Sequence, residues 1–265
     1  MIRSVLNTIA SALALSALVL SLAACGDGAK TAQTTGSVNL YVTANGGLAP
    51  AGASLRPASV SIGNITITTA QASFREIEFI MAGVAQPEPE FEATFYVDLL
   101  AGTTTAALLG RATIPPGTYE GIEFKLVSTA TPPAGFENLA GFSIYIAGTV
   151  TPAAAAPVAF TLGVAASGGR EQIVVTGANG FTVAPGMSND LIVDFNLPGV
   201  LAHNPDAETV AAAIAAAVAA GGPPPVDLSG NAPLVTLLLD ALRLEANAGE
   251  DDDHDGRLDD SEHMR

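Results

Sequence analysis

Short stretches of alternating apolar and polar residues, separated by turn residues, most constrain the fold of this chain. Val38, Leu40 and Val42, for example, alternate with polar neighbours. Apolar side chains at every second position are typical of a strand with one buried face. Similar strand patterns cover residues 60–67, 73–81, 91–100, 122–126, 142–150, 158–164, 172–176 and 191–197. About ten short strands without intervening helices predict a mainly β fold, an antiparallel two-sheet β-sandwich, over residues 37–200.

Glycine and proline supply the turns that such a fold needs. The chain has 27 glycines and 17 prolines, which imply many turns. Its charged residues make up only 14% and its hydrophobic residues 49%, a composition that argues against disorder. Pro116-Gly117 marks a turn between two extended stretches. The apolar pattern changes phase across Gly63-Asn64, which predicts a bulge or a tight bend within one strand pair.

The pattern changes from strand to helix near Asn204, and residues 201–248 are predicted to form a helical segment packed on the sandwich. Asn204 and Pro205 suit the cap and first position of a helix, and the alanine-rich residues 210–220 follow. That apolar run is too short to cross a bilayer, although a partner-binding or membrane-surface helix is an alternative. Residues 233–245 favour a second helix, with a strand as the alternative.

The single cysteine, Cys25, ends the sequence Leu-Ala-Ala-Cys and follows an apolar run over residues 5–24 that is preceded by Arg3. This is the layout of a signal peptide. It resembles the bacterial lipoprotein signal, in which the cysteine is acylated and becomes the new N-terminus. The resemblance implies a signal peptide over residues 1–24, a lipid anchor on Cys25 and a flexible tether over residues 25–36. An ordinary signal peptide with a stray cysteine, or an N-terminal membrane helix, is the alternative.

The net charge of −16, with ten Lys and Arg, leaves no basic surface to neutralise phosphates and excludes nucleic acid as a partner. Anionic lipid headgroups would not attract such a chain either. Membrane attachment is therefore expected through acyl chains on Cys25, which places the protein in the cell envelope, periplasmic or surface-exposed. Acylation of the only cysteine also excludes disulfides and thiolate chemistry.

The sharpest chemical signal is an acidic, EF-hand-like loop within residues 249–265. Calcium prefers six to eight oxygen ligands, which a twelve-residue loop supplies from positions one, three, five, seven, nine and twelve. These positions are Asp251, Asp253, Asp255, the Arg257 carbonyl, Asp259 and Glu262. Gly256 and Leu258 give the expected glycine and apolar residue at positions six and eight. The spacing predicts a calcium site without an exit helix, and a solvated acidic tail is the alternative.

Candidates for catalysis are weaker. The three histidines, His203, His254 and His263, lie beside the predicted helix or the acidic loop, so none is placed on the sandwich as a general base. Two glutamate pairs, Glu76 with Glu78 and Glu120 with Glu123, have the residue type that glycoside hydrolysis uses. Solvated strand faces carry such pairs routinely, which is the favoured interpretation.

Five short segments of the β-rich region form a distinctive set: residues 96–100 (YVDLL), 107–110 (ALLG), 114–119 (IPPGTY), 181–186 (FTVAPG) and 191–195 (LIVDF). Together they resemble a widespread domain-of-unknown-function family of bacterial surface lipoproteins. The resemblance covers roughly residues 36–200 and implies a β-sandwich with no assigned activity. Members often carry Asp-Ala-Pro after the first strand, whereas Thr43 is followed here by residues 44–47 (ANGG), so no role of that aspartate is transferred.

These observations predict a lipid-anchored envelope or surface protein that is not an enzyme. Its expected role is adhesion, assembly or scaffolding, with an envelope or surface protein as partner and a calcium-stabilised C-terminus. A periplasmic or surface hydrolase and a ligand-binding module are the alternatives.

Overall fold

Thirteen strands and three α-helices are found among the residues that the computed structural model describes. It describes residues 35–43, 59–83, 89–100, 107–166, 172–204, 208–254, 258 and 262, all within one unit, Gln33–Arg265. The strands are β1 (Gly36–Thr43), β2 (Val60–Ile62), β3 (Ile65–Met81), β4 (Glu90–Phe91), β5 (Phe95–Asp98), β6 (Ala107–Ile114), β7 (Gly117–Leu126), β8 (Ile144–Val150), β9 (Val158–Val164), β10 (Gln172–Val183), β11 (Ser188–Asp194), β12 (Val226–Asp227) and β13 (Asn247–Glu250). The helices are α1 (Leu197–Ala202), α2 (Val210–Ala220) and α3 (Ala232–Glu245). The predicted signal peptide and Cys25 lie outside the described residues, as does the tether up to residue 34.

The strands form two sheets around one hydrophobic core. The small sheet has the order β13-β11-β1-β6, and the large sheet has the order β10-β7-β3-β8-β9-β12, with β2, β4 and β5 also paired to β3. The prediction of a mainly β, sandwich-like fold with a helical C-terminal segment is confirmed. Both sheets are mixed rather than wholly antiparallel, because β1 pairs with β11, and β9 with β12, in parallel.

Strand β3 runs unbroken for 17 residues, where the sequence pattern indicated two strands. The register pairs Ile62 with Ile65, so Gly63-Asn64 forms the two residues of a hairpin turn, and Gly63 has the positive φ of 58° that glycine tolerates. The predicted tight bend is therefore confirmed. Bulges interrupt the pairing of β3 with β7 and with β8, which shifts the phase of its side chains and explains why the alternation looked broken.

Residues 91–100 also differ from the single predicted strand. They contribute to two short strands, β4 and β5, which pair with separate parts of β3. Between them the chain leaves the ladder at residues 92–94. Two short pairings with one long strand produce nearly the same apolar spacing as a continuous strand, which is why the pattern did not separate them.

The helical region starts differently from the prediction. Helix α1 was not predicted, since six residues are too few for a clear periodicity. Helix α2 begins at Val210 rather than near residue 205, because Thr209 is extended and its hydroxyl accepts a hydrogen bond from the Ala212 N–H at 3.0 Å. Helix α3 confirms the predicted helix at residues 233–245 and excludes the strand alternative. Within the described ranges, no helix is long and apolar enough to cross a bilayer.

Three phenylalanines join the two sheets at the centre of the core. Phe195, which follows β11, stacks on Phe74 of β3 with ring centroids 5.0 Å apart and planes at 5°. Phe124 of β7 meets the edges of both rings, at 5.7 Å from each. All three side chains are at most 1% exposed. This cluster therefore couples the small sheet to the large sheet.

Replacing Phe195 with alanine is expected to destabilise the whole domain. The substitution removes buried surface and two ring contacts and leaves a cavity, which should lower the free energy of unfolding by about 3–5 kcal/mol. Urea unfolding followed by circular dichroism measures the change. Leu244→Ala is the control, because Leu244 is 55% exposed and its loss should change the free energy by less than about 0.5 kcal/mol. Equal effects of the two substitutions would contradict the role given to the cluster.

Candidate metal centre

Strand β13 holds the beginning of the acidic loop at the edge of the small sheet. It runs antiparallel to β11, with Glu250 opposite Leu191. The Asp251 N–H donates a hydrogen bond to the Asp190 carbonyl oxygen at 2.9 Å, so the ladder continues one residue beyond the strand. Asp251 is consequently buried, at 5% exposed. The sheet thus fixes the first residue of the predicted loop.

Three of the predicted ligands meet in space. Asp251, Asp253 and Glu262 each offer a carboxylate oxygen, and these oxygens lie within 4.8 Å of one another. The Asp252 N–H donates to Glu262 Oε1 at 2.9 Å, which brings the end of the loop back to its start. Oxygens around one Ca²⁺ ion at 2.3–2.6 Å are separated by less than about 5 Å, so this spacing fits a single ion.

The remaining predicted ligands, Asp255, Arg257 and Asp259, lie outside the described residues. Leu258, the predicted apolar eighth position, is described and is 1% exposed. It packs against Gly249 of β13, where an added β-carbon would overlap both the Leu258 side chain and the Glu262 carbonyl oxygen. The loop therefore folds back over β13. Sequence reasoning missed Gly249, although a glycine two residues before an acidic loop is the signal that would have found it.

Further polar groups line the strands beside the cluster. Asn39 donates to Asp190 Oδ1 at 2.6 Å, and His254 Nδ1 is hydrogen-bonded to the Asp251 carbonyl oxygen at 2.8 Å. Burial raises the pKa of Glu250 above its ordinary value; the hydrogen bond from Asn189 opposes this, and the charge of Asp252 adds to it. The negative charge at this edge favours a bound cation, and a hard divalent ion matches oxygen donors of this kind.

The glutamates considered for catalysis form an ion-pair cluster instead. Lys125 Nζ on β7 lies 2.6 Å from Glu78 Oε1 and 3.0 Å from Glu76 Oε2, and Arg75 lies 2.5 Å from Glu76 Oε1. The bulge of β3 gives Glu76 a positive φ of 53°, which turns its side chain toward Lys125.

The hydrogen bond from Lys125 is the main reason that the pKa of Glu76 is lowered. A general acid in glycoside hydrolysis needs a raised pKa, so Glu76 does not suit that role. The other predicted pair, Glu120 and Glu123, lies on β7. Glu123 lies opposite Glu78 in the β3–β7 register, and Glu120 is exposed on β7.

The two described histidines, His203 and His254, are each hydrogen-bonded to an oxygen atom of an acidic residue. His203 Nδ1, just after α1, lies 2.9 Å from Glu245 Oε1 at the end of α3. His254 contacts the acidic loop, and His263 lies outside the described residues. His203 therefore links two helices of the C-terminal segment.

The chain belongs to the family described as a domain of unknown function (DUF4382), whose profile matches residues 35–208. This confirms the resemblance to a domain-of-unknown-function family. The comparison with curated proteins and the comparison with solved structures found no match. The matched range contains most of both sheets and α1, and it ends before α2, α3, β13 and the acidic loop. The candidate metal centre therefore lies beyond the family domain.

Replacing Lys125 with methionine is expected to flatten the acid dependence of stability. A carboxyl group whose pKa is lower in the folded protein than in the unfolded chain stabilises the fold. This contribution is fully present at pH values above the unfolded-state pKa, 4.5 for Glu76, and it is lost as the pH falls through the folded-state pKa. Urea unfolding between about pH 5 and pH 3 should show a smaller loss of free energy in Lys125→Met than in the wild type. Carbon NMR titration should show the pKa of Glu76 moving toward its ordinary value.

Lys125→Arg is the control, since it keeps the positive charge and should retain most of the acid dependence. An unchanged pKa of Glu76 in Lys125→Met would show that Lys125 does not hold this carboxylate ionised.

Proposed function

We propose that this protein is a lipid-anchored envelope or surface protein without catalytic activity, with a role in adhesion, assembly or scaffolding. Its C-terminal loop binds calcium and stabilises the edge of the small sheet. The observation that carries the calcium proposal is the convergence of Asp251, Asp253 and Glu262, which occupy positions one, three and twelve of the loop. Asp251 and Glu262, eleven residues apart in sequence, meet with their carboxylates together, as a twelve-residue calcium loop requires.

The structural role follows from where the loop lies. Strand β13 is the edge of the small sheet, and an unprotected edge is a template for unwanted pairing with other chains. The loop folds over β13 through Leu258 and Glu262, and mutual repulsion of the acidic residues opposes this closure. A bound divalent ion neutralises that repulsion, so calcium binding and edge protection are coupled.

The expected affinity is weak. One loop without an exit helix or a partner loop should bind calcium with a Kd on the order of 10⁻⁴ to 10⁻³ M, the range of extracellular modules. Magnesium should bind less well, because it demands a strict octahedron of ligands, whereas a bidentate Glu262 suits the higher coordination number of calcium. Such a site is filled outside the cytosol, which agrees with an envelope location.

The lipid anchor is supported by the sequence around Cys25. Residues 25–34 precede the first described residue, Thr35, and at about 3.3 Å per residue they span at most roughly 33 Å. A chain of this length would hold the β domain close to the membrane that carries the acyl chains. Adhesion or assembly at a surface requires this kind of placement.

Calorimetric titration of the mature protein with calcium tests the metal proposal. Asp251→Ala and Glu262→Gln should each weaken calcium binding at least tenfold, because each removes a ligand oxygen from the cluster. Asp252→Asn is the matched control: it removes a charge in the same loop at a position that is not a ligand, and it should change the affinity by less than threefold. If Asp252→Asn weakens binding as much as Glu262→Gln, calcium is attracted by the acidic charge alone.

Fractionation of cells that express the protein tests the anchor. Cys25→Ser should move the protein from the membrane fraction to the soluble fraction, because it removes the acylation site. The wild type should also incorporate labelled fatty acid. A variant that stays with the membrane, together with an unlabelled wild type, would overturn the proposal of a lipid anchor.

A further inference from the structure

A pocket of about 370 Å³ lies between helix α2 and the ends of strands β8 and β9, and none of its lining residues belongs to the acidic loop. The residues that line it include Asn64, Val150, Pro152, Val158, Ala215 and Ala219. Its volume lies in the range of about 300–1,000 Å³ that small-molecule sites occupy.

The walls of the pocket are held by regular structure. Val150 pairs with Ile65 of β3 on one side and with Val158 of β9 on the other. The Thr151 N–H donates to the Asn64 carbonyl oxygen at 2.7 Å, which fixes the hairpin turn at the rim. The Gly221 N–H donates to the Val218 carbonyl oxygen at 3.2 Å, which fixes the end of α2. The pocket is therefore formed before any ligand enters.

The chemistry of the lining selects the ligand. In a chain with a net charge of −16, none of the described lining residues is charged, and Asn64 is the single polar side chain among them. Valine, alanine and proline side chains provide the remaining walls, without an aromatic ring on which a flat ligand could stack. The lining thus favours an aliphatic body over an aromatic or a charged one.

The volume of the pocket and the partial charge at its rim further limit which ligands fit. An apolar cavity of about 150 Å³ holds one benzene molecule, so this larger pocket accommodates on the order of ten carbon atoms. The C-terminal end of α2 lies at the rim, where its last carbonyl groups carry the partial negative charge of the helix. A hydroxyl or ammonium head group is compatible with this rim, whereas a carboxylate is repelled.

We propose that this pocket binds one linear aliphatic chain with a head group that is uncharged or donates hydrogen bonds. Such a chain comes either from a free aliphatic molecule or from a lipid, including the acyl group on the protein's own anchor. The small side chains of Ala215 and Ala219 leave the space that the chain fills.

Binding of decan-1-ol to the full chain carrying Cys25→Ser tests the proposal, with ligand-detected NMR as the readout. Saturable binding is expected, and decanoate at pH 8 should bind at least tenfold more weakly than decan-1-ol. Ala215→Leu and Ala219→Leu should each weaken decan-1-ol binding at least tenfold by filling the pocket. Ala216→Leu is the matched control, because Ala216 is exposed on the same helix and does not line the pocket.

Two results would overturn the proposal: no saturable binding of decan-1-ol, or equal binding by the Ala216→Leu variant and both filling variants. Ala219 is exposed, so Ala219→Leu keeps the test valid if Ala215→Leu fails to fold. Photo-leucine in place of Val158, a lining residue of similar size, then separates the two sources in cells. A crosslink to the acylated Cys25 peptide assigns the chain to the anchor, and a crosslink to a separate lipid assigns it to a free molecule.

Discussion

The pairing of β3 with five other strands is the constraint on which the large sheet depends. Its 17 residues run beside β2, β4, β5, β7 and β8, and its central part is buried on both faces. Phe74 from this buried part stacks on Phe195, which belongs to the chain that leaves the small sheet. Phe124 of β7 also contacts Phe195, so these ring contacts join the two sheets, and helix α1 begins directly after this junction.

The position of the candidate metal centre depends on this arrangement of strands. Phe195 follows β11, and β11 pairs with both β1 and β13 in the small sheet. The ladder between β11 and β13 ends at Asp251, so the first proposed ligand of the loop is placed by backbone hydrogen bonds rather than by the acidic residues themselves. Gly249 then allows Leu258 and Glu262 to return over β13. A divalent ion would complete a closure that apolar packing has already begun.

Much of this could be predicted from the sequence, because alternation reports which face of a strand is buried. The alternation of apolar and polar residues predicted most strands and the turn at Gly63-Asn64. The spacing of the acidic residues predicted that Asp251, Asp253 and Glu262 would converge. Alternation does not show which strands pair with each other or whether they run parallel, so the parallel pairing of Ser37 with Ser188 could not be predicted. The ion pairs of Glu76 depend on a lysine 49 residues away and on a bulge, neither of which leaves a local signal. Helix α1 is too short for its periodicity to be read.

Hydrogen exchange with and without calcium tests most directly whether the loop is a metal site that secures the sheet edge. The Asp251 amide, which donates to Asp190, and the Asp252 amide, which donates to Glu262, report on closure of the loop. At saturating calcium, exchange at both amides should slow at least tenfold, while amides in the centre of β7 remain unchanged, since binding stabilises this edge locally. Equal exchange rates at Asp251 and Asp252 in the two conditions would contradict the account and leave the loop as an acidic tail.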